Sequence, residues 1–190
     1  QLQISRLQKV AKTIEDSLNY KITRHILNSW GIMRFPESQM EMVRLGIGLY
    51  GTEPELIQKM NLETALRLRT IVSQIRYIPK GDGLGYGQTW IAKQDSKIAI
   101  LPIGYADGFR LSLSNSNYKV LIKDHKVPVI GRICMDMCFV DITNLDIKEG
   151  DEVEIFGPNI PISQLAETAN TITYEIISTL SQRIKRIYLH

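Results

Sequence analysis

The sequence has few cysteines and no long apolar segment, and each shortage excludes a class of protein. Two cysteines in 190 residues rule out a disulfide-stabilised scaffold. No stretch approaches the roughly 18 apolar residues of a membrane-spanning helix. The first residues, Gln1-Leu2-Gln3, lack the charged-then-apolar order of a secretory signal. We therefore expect a folded, soluble, cytoplasmic chain without a membrane partner, and the start at Gln1 indicates a fragment.

An excess of one charge sign is also missing. Lys and Arg number 23 and Asp and Glu number 20, which gives a formal net charge of +3. The basic residues are scattered singly or in pairs, so the sequence does not predict a nucleic-acid or anionic-membrane partner. With 44% apolar and 23% charged residues, the composition is that of a globular protein with one or two domains.

The two cysteines, Cys134 and Cys138, lie in one apolar run from Ile133 to Val140. Strand alternation would point both thiols to the same face, and we expect both to be reduced and buried. A metal site would need two further ligands, and the histidines are far apart in the sequence, at His25, His125 and His190. No metal site is predicted.

The first fifty residues have the pattern of a parallel α/β sheet. Apolar residues from Leu7 to Leu18 recur at helical spacing and predict a helix with one packed face. Two β-compatible runs, Tyr20–Leu27 and Met42–Leu45, predict strands. They end in Asn28-Ser29 and in Gly46-Ile47-Gly48, and we expect Ser29 and Gly46-Ile47 to lie close enough for one phosphate or sulfate to contact both. Two strands cannot close a barrel, so this part predicts only a piece of one.

Beyond Gly51 the pattern becomes mostly β, and we place the domain boundary between Gly51 and Leu62, with domains 1–55 and 56–190. Turn signals separate short strands, as in antiparallel sandwiches and small barrels. The predicted strands are Leu66–Tyr77, Gln88–Ala92, Lys97–Ile103, Tyr118–Lys123, Val127–Ile133, Met137–Ile142 and Glu152–Phe156. Two short helices are predicted, one capped by Ser163 and ending at Asn170, the other from Tyr174 to Leu180.

Three segments combine glycine with polar or aromatic side chains, namely Gly81–Gly87, Gly104–Gly108 and Gly131–Asp136. Glycine allows left-handed backbone and close approach, so Gly85-Tyr86-Gly87 can present a phenol from a tight loop. An ordinary hairpin turn is the alternative. Other residues with a possible function also have an ordinary structural explanation. Ser29 can be a turn residue, Arg44 can be a solvated surface charge, and Arg132 and Asp136 can form an ion pair. Trp30, Trp90 and the methionines are assigned to the core.

Taken together, these segments resemble the alanine racemase family, enzymes with a pyridoxal phosphate barrel domain followed by a β domain. The matching stretches follow the family order over nearly the whole chain. They are His25–Ser29, Arg34–Glu37, Met42–Gly51, Gly85–Gly87, Leu101–Gly108, Gly131–Asp136, Gly150–Asp151 and Thr173–Ile176. The resemblance implies the C-terminal part of a TIM-type α/β barrel (1–55) followed by an antiparallel β-barrel-like domain (56–190), α+β and mainly β overall.

The resemblance also implies roles for individual residues. In the family pattern the cofactor phosphate is held by a serine, two loop amides and a tyrosine, and the pyridine nitrogen faces an arginine. The corresponding residues here are Ser29, Gly46, Ile47, Tyr174 and Arg44. Tyr86 matches the tyrosine base that acts from the second subunit of a homodimer. Around the substrate, Met135 matches the carboxylate-binding amide, Tyr105 the access gate, and Arg132 with Asp136 the polar corridor.

The implied activity is interconversion of L- and D-alanine for peptidoglycan synthesis by two-base proton transfer with pyridoxal phosphate. The family's Schiff-base lysine lies in a Val-Lys-Ala-x-Ala-Tyr context, and no lysine of this sequence has those neighbours. This chain alone is therefore expected to be inactive and unable to hold the cofactor covalently. Two other hypotheses remain: a structural or dimerising module without a ligand, and a small barrel that binds oligonucleotides, which the balanced charge disfavours.

Overall fold

The computed structural model describes residues 1–116 and 118–189. The chain divides into two compact units, which we call unit 1 (Gln1–Ala65) and unit 2 (from Leu66 onward). The sequence pattern changes earlier, between Gly51 and Leu62, and the helix Pro54–Met60 belongs to unit 1. In the part of the chain that is described, no helix is both long and apolar enough to cross a membrane.

Unit 1 contains helices whose ends follow local capping rules. The helices are α1 (Leu2–Leu18), α2 (Ser29–Arg34) and α3 (Pro54–Met60). Asn19 and Asn61 adopt the left-handed conformation that ends α1 and α3. The Asn28 side chain accepts a hydrogen bond from the Gly31 amide at 2.9 Å, which caps the first turn of α2. Asn28 thereby fixes where α2 begins.

The strands predicted in unit 1 form only in part. No regular strand forms within Tyr20–Leu27 or Met42–Leu45, and a single parallel bridge joins Asn28 to Arg44. The Arg44 amide donates to the Leu27 carbonyl at 2.8 Å. The Met42 amide also donates to the Arg24 carbonyl, at 3.2 Å, so the two segments lie side by side without forming a regular ladder.

The predicted packed face of α1 is wrong for the described residues. Of the helix, only Ala11 is buried, whereas Val10, Ile14 and Leu18 are exposed. The spacing correctly predicts a helix. Burial of its apolar stripe depends on a neighbouring surface, and in this structure that surface covers Ala11 and leaves most of the stripe exposed.

Unit 2 is built on a curled antiparallel sheet. Its strands within the described residues are β1 (Leu68–Ile71), β2 (Gln74–Ile78), β5 (Ser96–Leu101), β6 (Lys119–Ile122), β7 (His125–Ile130), β8 (Cys138–Asp141) and β9 (Glu152–Phe156). The spatial order is β1-β9-β6-β7-β8-β5-β2. Strands β1 and β2 lie at opposite edges, yet only Val72 and Ser73 separate them in sequence. So short a connection requires the two edges to approach each other, which makes the sheet barrel-like.

The sheet of unit 2 buries apolar side chains on both faces. The larger cluster lies against the helices α4 (Ile162–Thr168) and α5 (Thr173–Thr179). The smaller cluster, Leu84, Ile98, Ile130 and Phe139, joins the sheet to a short two-stranded piece, β3 (Gly83–Leu84) and β4 (Trp90–Ile91). The smaller cluster therefore supports the loop between β3 and β4.

Several local predictions for unit 2 need correction. The single predicted strand Leu66–Tyr77 is divided into β1 and β2, and α4 begins after Pro161, with Ser163 inside the helix rather than capping it. Trp30 and Trp90 are only half-buried, and Met135 and Met137 are exposed rather than in the core.

The prediction that both cysteines are buried is correct for Cys138 and wrong for Cys134. Strand β7 ends at Ile130, because Gly131 takes a left-handed φ of 66° that interrupts the extended chain. Cys134 therefore lies in a loop and is partly exposed, while Cys138 starts β8 and is buried. Both are free thiols, and burial raises the pKa of Cys138 above its ordinary value.

Candidate functional site

In unit 1, the Ser29 hydroxyl lies among backbone amides. Ser29 is buried, and its Oγ accepts hydrogen bonds from the amides of Gly46 at 3.0 Å and Gly48 at 3.2 Å. The expected proximity of Ser29 and Gly46 is thus confirmed. Ile47 begins a 3₁₀ helix, so its amide is one that the helix cannot pair internally. A β carbon on Gly46 would approach only Ser29 Oγ, at 4.0 Å, which leaves open space beside these donors.

Arg44 is held from the neighbouring segment. One terminal guanidinium nitrogen lies 3.1 Å from His25 Nδ1, and the other donates to the Ile26 carbonyl at 3.2 Å. Since a guanidinium has only donors, Nδ1 must accept, and we infer that His25 carries its proton on Nε2. The sequence did not single out His25 as a partner, because only the pairing of the two segments brings it to Arg44.

In unit 2, Tyr86 lies in the loop between the antiparallel strands β3 and β4, which fits both the presented phenol and the ordinary hairpin turn. Gly85 and Gly87 on either side have φ values of 69° and 70°, and the Tyr86 side chain is 69% exposed. A β carbon on Gly85 would lie 3.2 Å from the Phe139 ring. Glycine at that position therefore lets the loop sit tightly on the smaller cluster and direct the phenol to solvent.

Tyr105 and Met135 lie on two loops that touch through their backbones. The amides of Tyr105 and Ala106 donate to the carbonyls of Cys134 and Met135 at 3.1 and 3.0 Å. A β carbon on Gly104 would lie 2.3 Å from each of those carbonyl oxygens. Only glycine permits this approach. Both side chains are about half exposed, at 46% for Tyr105 and 54% for Met135.

The ordinary ion pair considered between Arg132 and Asp136 does not form. Asp136 instead accepts from Arg183 at 2.6 Å, and Arg183 Nε also donates to Asp107 at 2.7 Å. Burial alone would raise the pKa of Asp107, but hydrogen bonds from Arg183 and Gly104 outweigh it and hold the pKa below its usual range. Arg132 is exposed. No local pattern singles out Arg183, because its partners Asp107 and Asp136 lie far from it in the chain.

Tyr174 is the second residue of α5, and its side chain is 39% exposed. The next residue, Glu175, binds Arg110 at 2.7 Å and so joins α5 to the segment that follows the Tyr105 loop. Tyr174 belongs to unit 2, and its role as a phosphate ligand stays a prediction. Throughout residues 1–116 and 118–189, no three His, Cys, Asp or Glu side chains cluster in a way that could hold a metal ion.

Comparisons with known proteins match both units. The family model described as alanine racemase, N-terminal domain, matches residues 1–54, and the one described as alanine racemase, C-terminal domain, matches residues 65–188. Alanine racemase of Methanococcus maripaludis is 44% identical over 175 residues, which cover 88% of this chain and 46% of that protein.

Solved structures of alanine racemases are also similar to this chain. The alanine racemase of Clostridium difficile 630 in complex with cycloserine has a TM-score of 0.84 and 38% identity, over 94% of this chain and 48% of that one. The Bartonella henselae alanine racemase with covalently bound pyridoxal phosphate has a TM-score of 0.81 and 35% identity, over 96% of this chain and 52% of that one. The chain therefore belongs to the alanine racemase family.

The expected fold class, the end of an α/β barrel followed by an antiparallel β domain, is confirmed. The chain spans about half the length of the curated relatives that it matches.

Proposed function

We propose that this chain supplies part of the active site of a pyridoxal-phosphate-dependent racemase that interconverts L- and D-alanine. Because the chain covers about half of its relatives' length, the activity belongs to a protein that also contains the lysine-bearing half. We call that protein the holoenzyme. We further propose a cytoplasmic homodimer with active sites shared between subunits, serving peptidoglycan synthesis.

The observation that carries the proposal is the group of donors around Ser29. A phosphate accepts hydrogen bonds only, and the Ser29 hydroxyl and the Ile47 amide can donate to it. The Gly46 amide donates to Ser29 Oγ in this structure, so it holds that hydroxyl in place and would have to turn to bind the phosphate itself. The space that a side chain at position 46 would fill is open, so these residues fit a cofactor phosphate. We propose that Tyr174 adds its hydroxyl to the same phosphate.

Pyridoxal phosphate, when bound, supplies an electron sink for the pair left behind as the substrate α-proton departs. Arg44 would face the ring nitrogen, held in place by His25 and Ile26. Because a guanidinium keeps its proton, Arg44 would disfavour a second cation on that nitrogen and weaken the sink. A weaker sink suits an enzyme that only moves one proton and must avoid transamination.

Racemisation needs acid/base groups on both faces of the α-carbon. We propose that the lysine of the holoenzyme serves one face and that Tyr86, exposed on its two-glycine loop, serves the other face from the partner subunit. A phenol is a weak base at neutral pH, so Tyr86 would need cations or hydrogen-bond donors that stabilise its phenolate. The Met135 amide would bind the substrate carboxylate, Tyr105 would narrow access, and Arg132 and Asp136 would line the corridor.

The proposal is tested with Tyr86→Phe in the holoenzyme. The ring is kept and only the oxygen is lost, so cofactor binding should remain while racemisation falls by about 10²–10⁴-fold, the usual range for one acid/base group. The alanine enantiomer that faces the lysine should still exchange its α-hydrogen with D₂O. Unchanged turnover would exclude Tyr86 as the base.

Shared sites are tested by mixing this variant with one that lacks the lysine. Hybrid dimers would hold one site with both intact groups, so activity should reappear. No recovery after verified subunit exchange would contradict sharing. If the whole protein, including the lysine-bearing half, folds but does not bind pyridoxal phosphate, the result would favour the purely structural role.

A further inference from the structure

The Arg183 side chain joins two loops of unit 2, one at Asp107 and the other at Asp136. Its Nε donates to Asp107 Oδ1 at 2.7 Å, and its Nη2 donates to Asp136 Oδ1 at 2.6 Å. Asp107 ends the short 3₁₀ helix Tyr105–Asp107, and Asp136 lies between β7 and β8. A planar guanidinium with several fixed N–H groups can hold two carboxylates at once, which a lysine ammonium does less well.

The Asp107 carboxylate passes this connection to the backbone. Its second oxygen accepts from the Gly104 amide at 2.9 Å, and the Asp107 carbonyl accepts from the Ser181 amide at 3.2 Å. The Asp107 side chain is only 12% exposed, so its orientation is tightly restricted. Arg183 therefore acts on a loop whose first residue, Gly104, is fixed by the same carboxylate.

The bond to Asp136 has a different character. The Asp136 side chain is 57% exposed and that of Arg183 is 47% exposed, and ion pairs in such positions contribute little to stability. What the bond does restrict is the position of Asp136, the residue directly after Met135. The two loops already meet through the amides of Tyr105 and Ala106, so Arg183 adds a second, lateral attachment.

We propose that Arg183 is a positioning residue, which fixes the Tyr105 loop against the Met135 loop and so sets the distance between the access gate and the amide that binds the substrate carboxylate. The inference rests on the proposed function, since the roles of Tyr105 and Met135 come from it. Both side chains are about half exposed, so their placement depends on the backbone that Arg183 holds.

The test uses Arg183→Lys in the holoenzyme. Lysine keeps the positive charge beside Asp107 but lacks the planar guanidinium that can hold two carboxylates at once. A loosened carboxylate site should raise KM for alanine about tenfold in both directions, while kcat changes less than about threefold. Amide hydrogen exchange at Tyr105 and Ala106 should become faster. Asp136→Ala, which removes the exposed acceptor of Arg183, should show the same faster exchange without leaving Asp107 unpaired.

The matched control is Lys123→Gln, which removes another ion pair of unit 2, that with Asp151 at 2.9 Å. It should leave KM and the two exchange rates unchanged. Unchanged KM in Arg183→Lys, or unchanged exchange at Tyr105 and Ala106, would overturn the positioning role. A wild-type holoenzyme without racemase activity would instead overturn the proposed function, and the two failures are therefore distinguishable.

Discussion

Replacing Gly104 by alanine should separate the two loops that carry Tyr105 and Met135. The added β carbon would lie 2.3 Å from the carbonyl oxygens of Cys134 and Met135, about 1 Å closer than carbon and oxygen normally approach. Moving the loops apart by that amount would stretch the N–H···O contacts of 3.1 and 3.0 Å to about 4 Å, which breaks them. Two lost hydrogen bonds cost about 1–3 kcal/mol in total, and the overpacking costs about 1–3 more.

We therefore expect Gly104→Ala to lower the free energy of unfolding of unit 2 by about 4 kcal/mol. The measurement is urea unfolding followed by the fluorescence of Trp90 in a Trp30→Phe background, because these are the two tryptophans of the chain and Trp90 lies in unit 2. Gly150→Ala is the control: its φ is 90°, but no atom lies within 4 Å of the new β carbon.

The control separates backbone strain from collision. Gly150→Ala should cost about 1–2 kcal/mol, the price of a left-handed conformation alone. Gly104 has a φ of −142°, which any residue adopts, so its whole cost is steric. If Gly104→Ala proves no less stable than Gly150→Ala, the close approach of the two loops is not what requires glycine, and the reasoning fails.

Two further predictions concern unit 1 and can be followed through Trp30 in a Trp90→Phe background. Ser29→Ala leaves the amides of Gly46 and Gly48 without their acceptor and should cost about 1–3 kcal/mol, whereas Ser17→Ala, at an exposed hydroxyl of α1, should change stability by less than about 0.5 kcal/mol. Hydrogen bonds from Arg24 lower the pKa of Glu41 from 4.5 to about 2. This pair should therefore stabilise the unit above about pH 4.5 and lose its effect as the pH falls towards 2, and Arg24→Gln should remove that part of the pH dependence measured by acid titration.

Local signals in the sequence predict the parts of the site that depend on local backbone. The glycines around Tyr86 predict a tight loop because glycine, having no β carbon, readily adopts a left-handed φ. The meeting of Ser29 with Gly46 is predictable because the ends of two neighbouring parallel strands lie side by side. Both expectations are confirmed, since neither needs knowledge of distant packing.

Two of the missed features depend on residues far apart in the chain, and one depends on a local turn at Gly131. Asp136 binds Arg183, which is 47 positions away, rather than the nearby Arg132. Strand propensity continues through Ile133, yet Gly131 ends β7, and this turns Cys134 away from the buried position that alternation predicts. Apolar spacing predicts α1, but burial of its stripe is set by what surrounds it. Pairing and burial are tertiary properties, and periodicity does not contain them.

The candidate residues of unit 2 lie where the sheet stops, and this explains how exposed side chains can still be well placed. Tyr86, Tyr105 and Met135 each project from a loop whose backbone is fixed by contacts that involve no part of the exposed side chain. For Tyr86 the contact is Gly85 on the Phe139 ring, and for the other two it is Gly104 against the facing carbonyls. About half or more of each of these three residues stays exposed, because the backbone contacts hold the loops. For the roles proposed for Tyr105 and Met135, substitution of Gly104 or Arg183 should therefore alter substrate binding without removing a group that would touch the substrate.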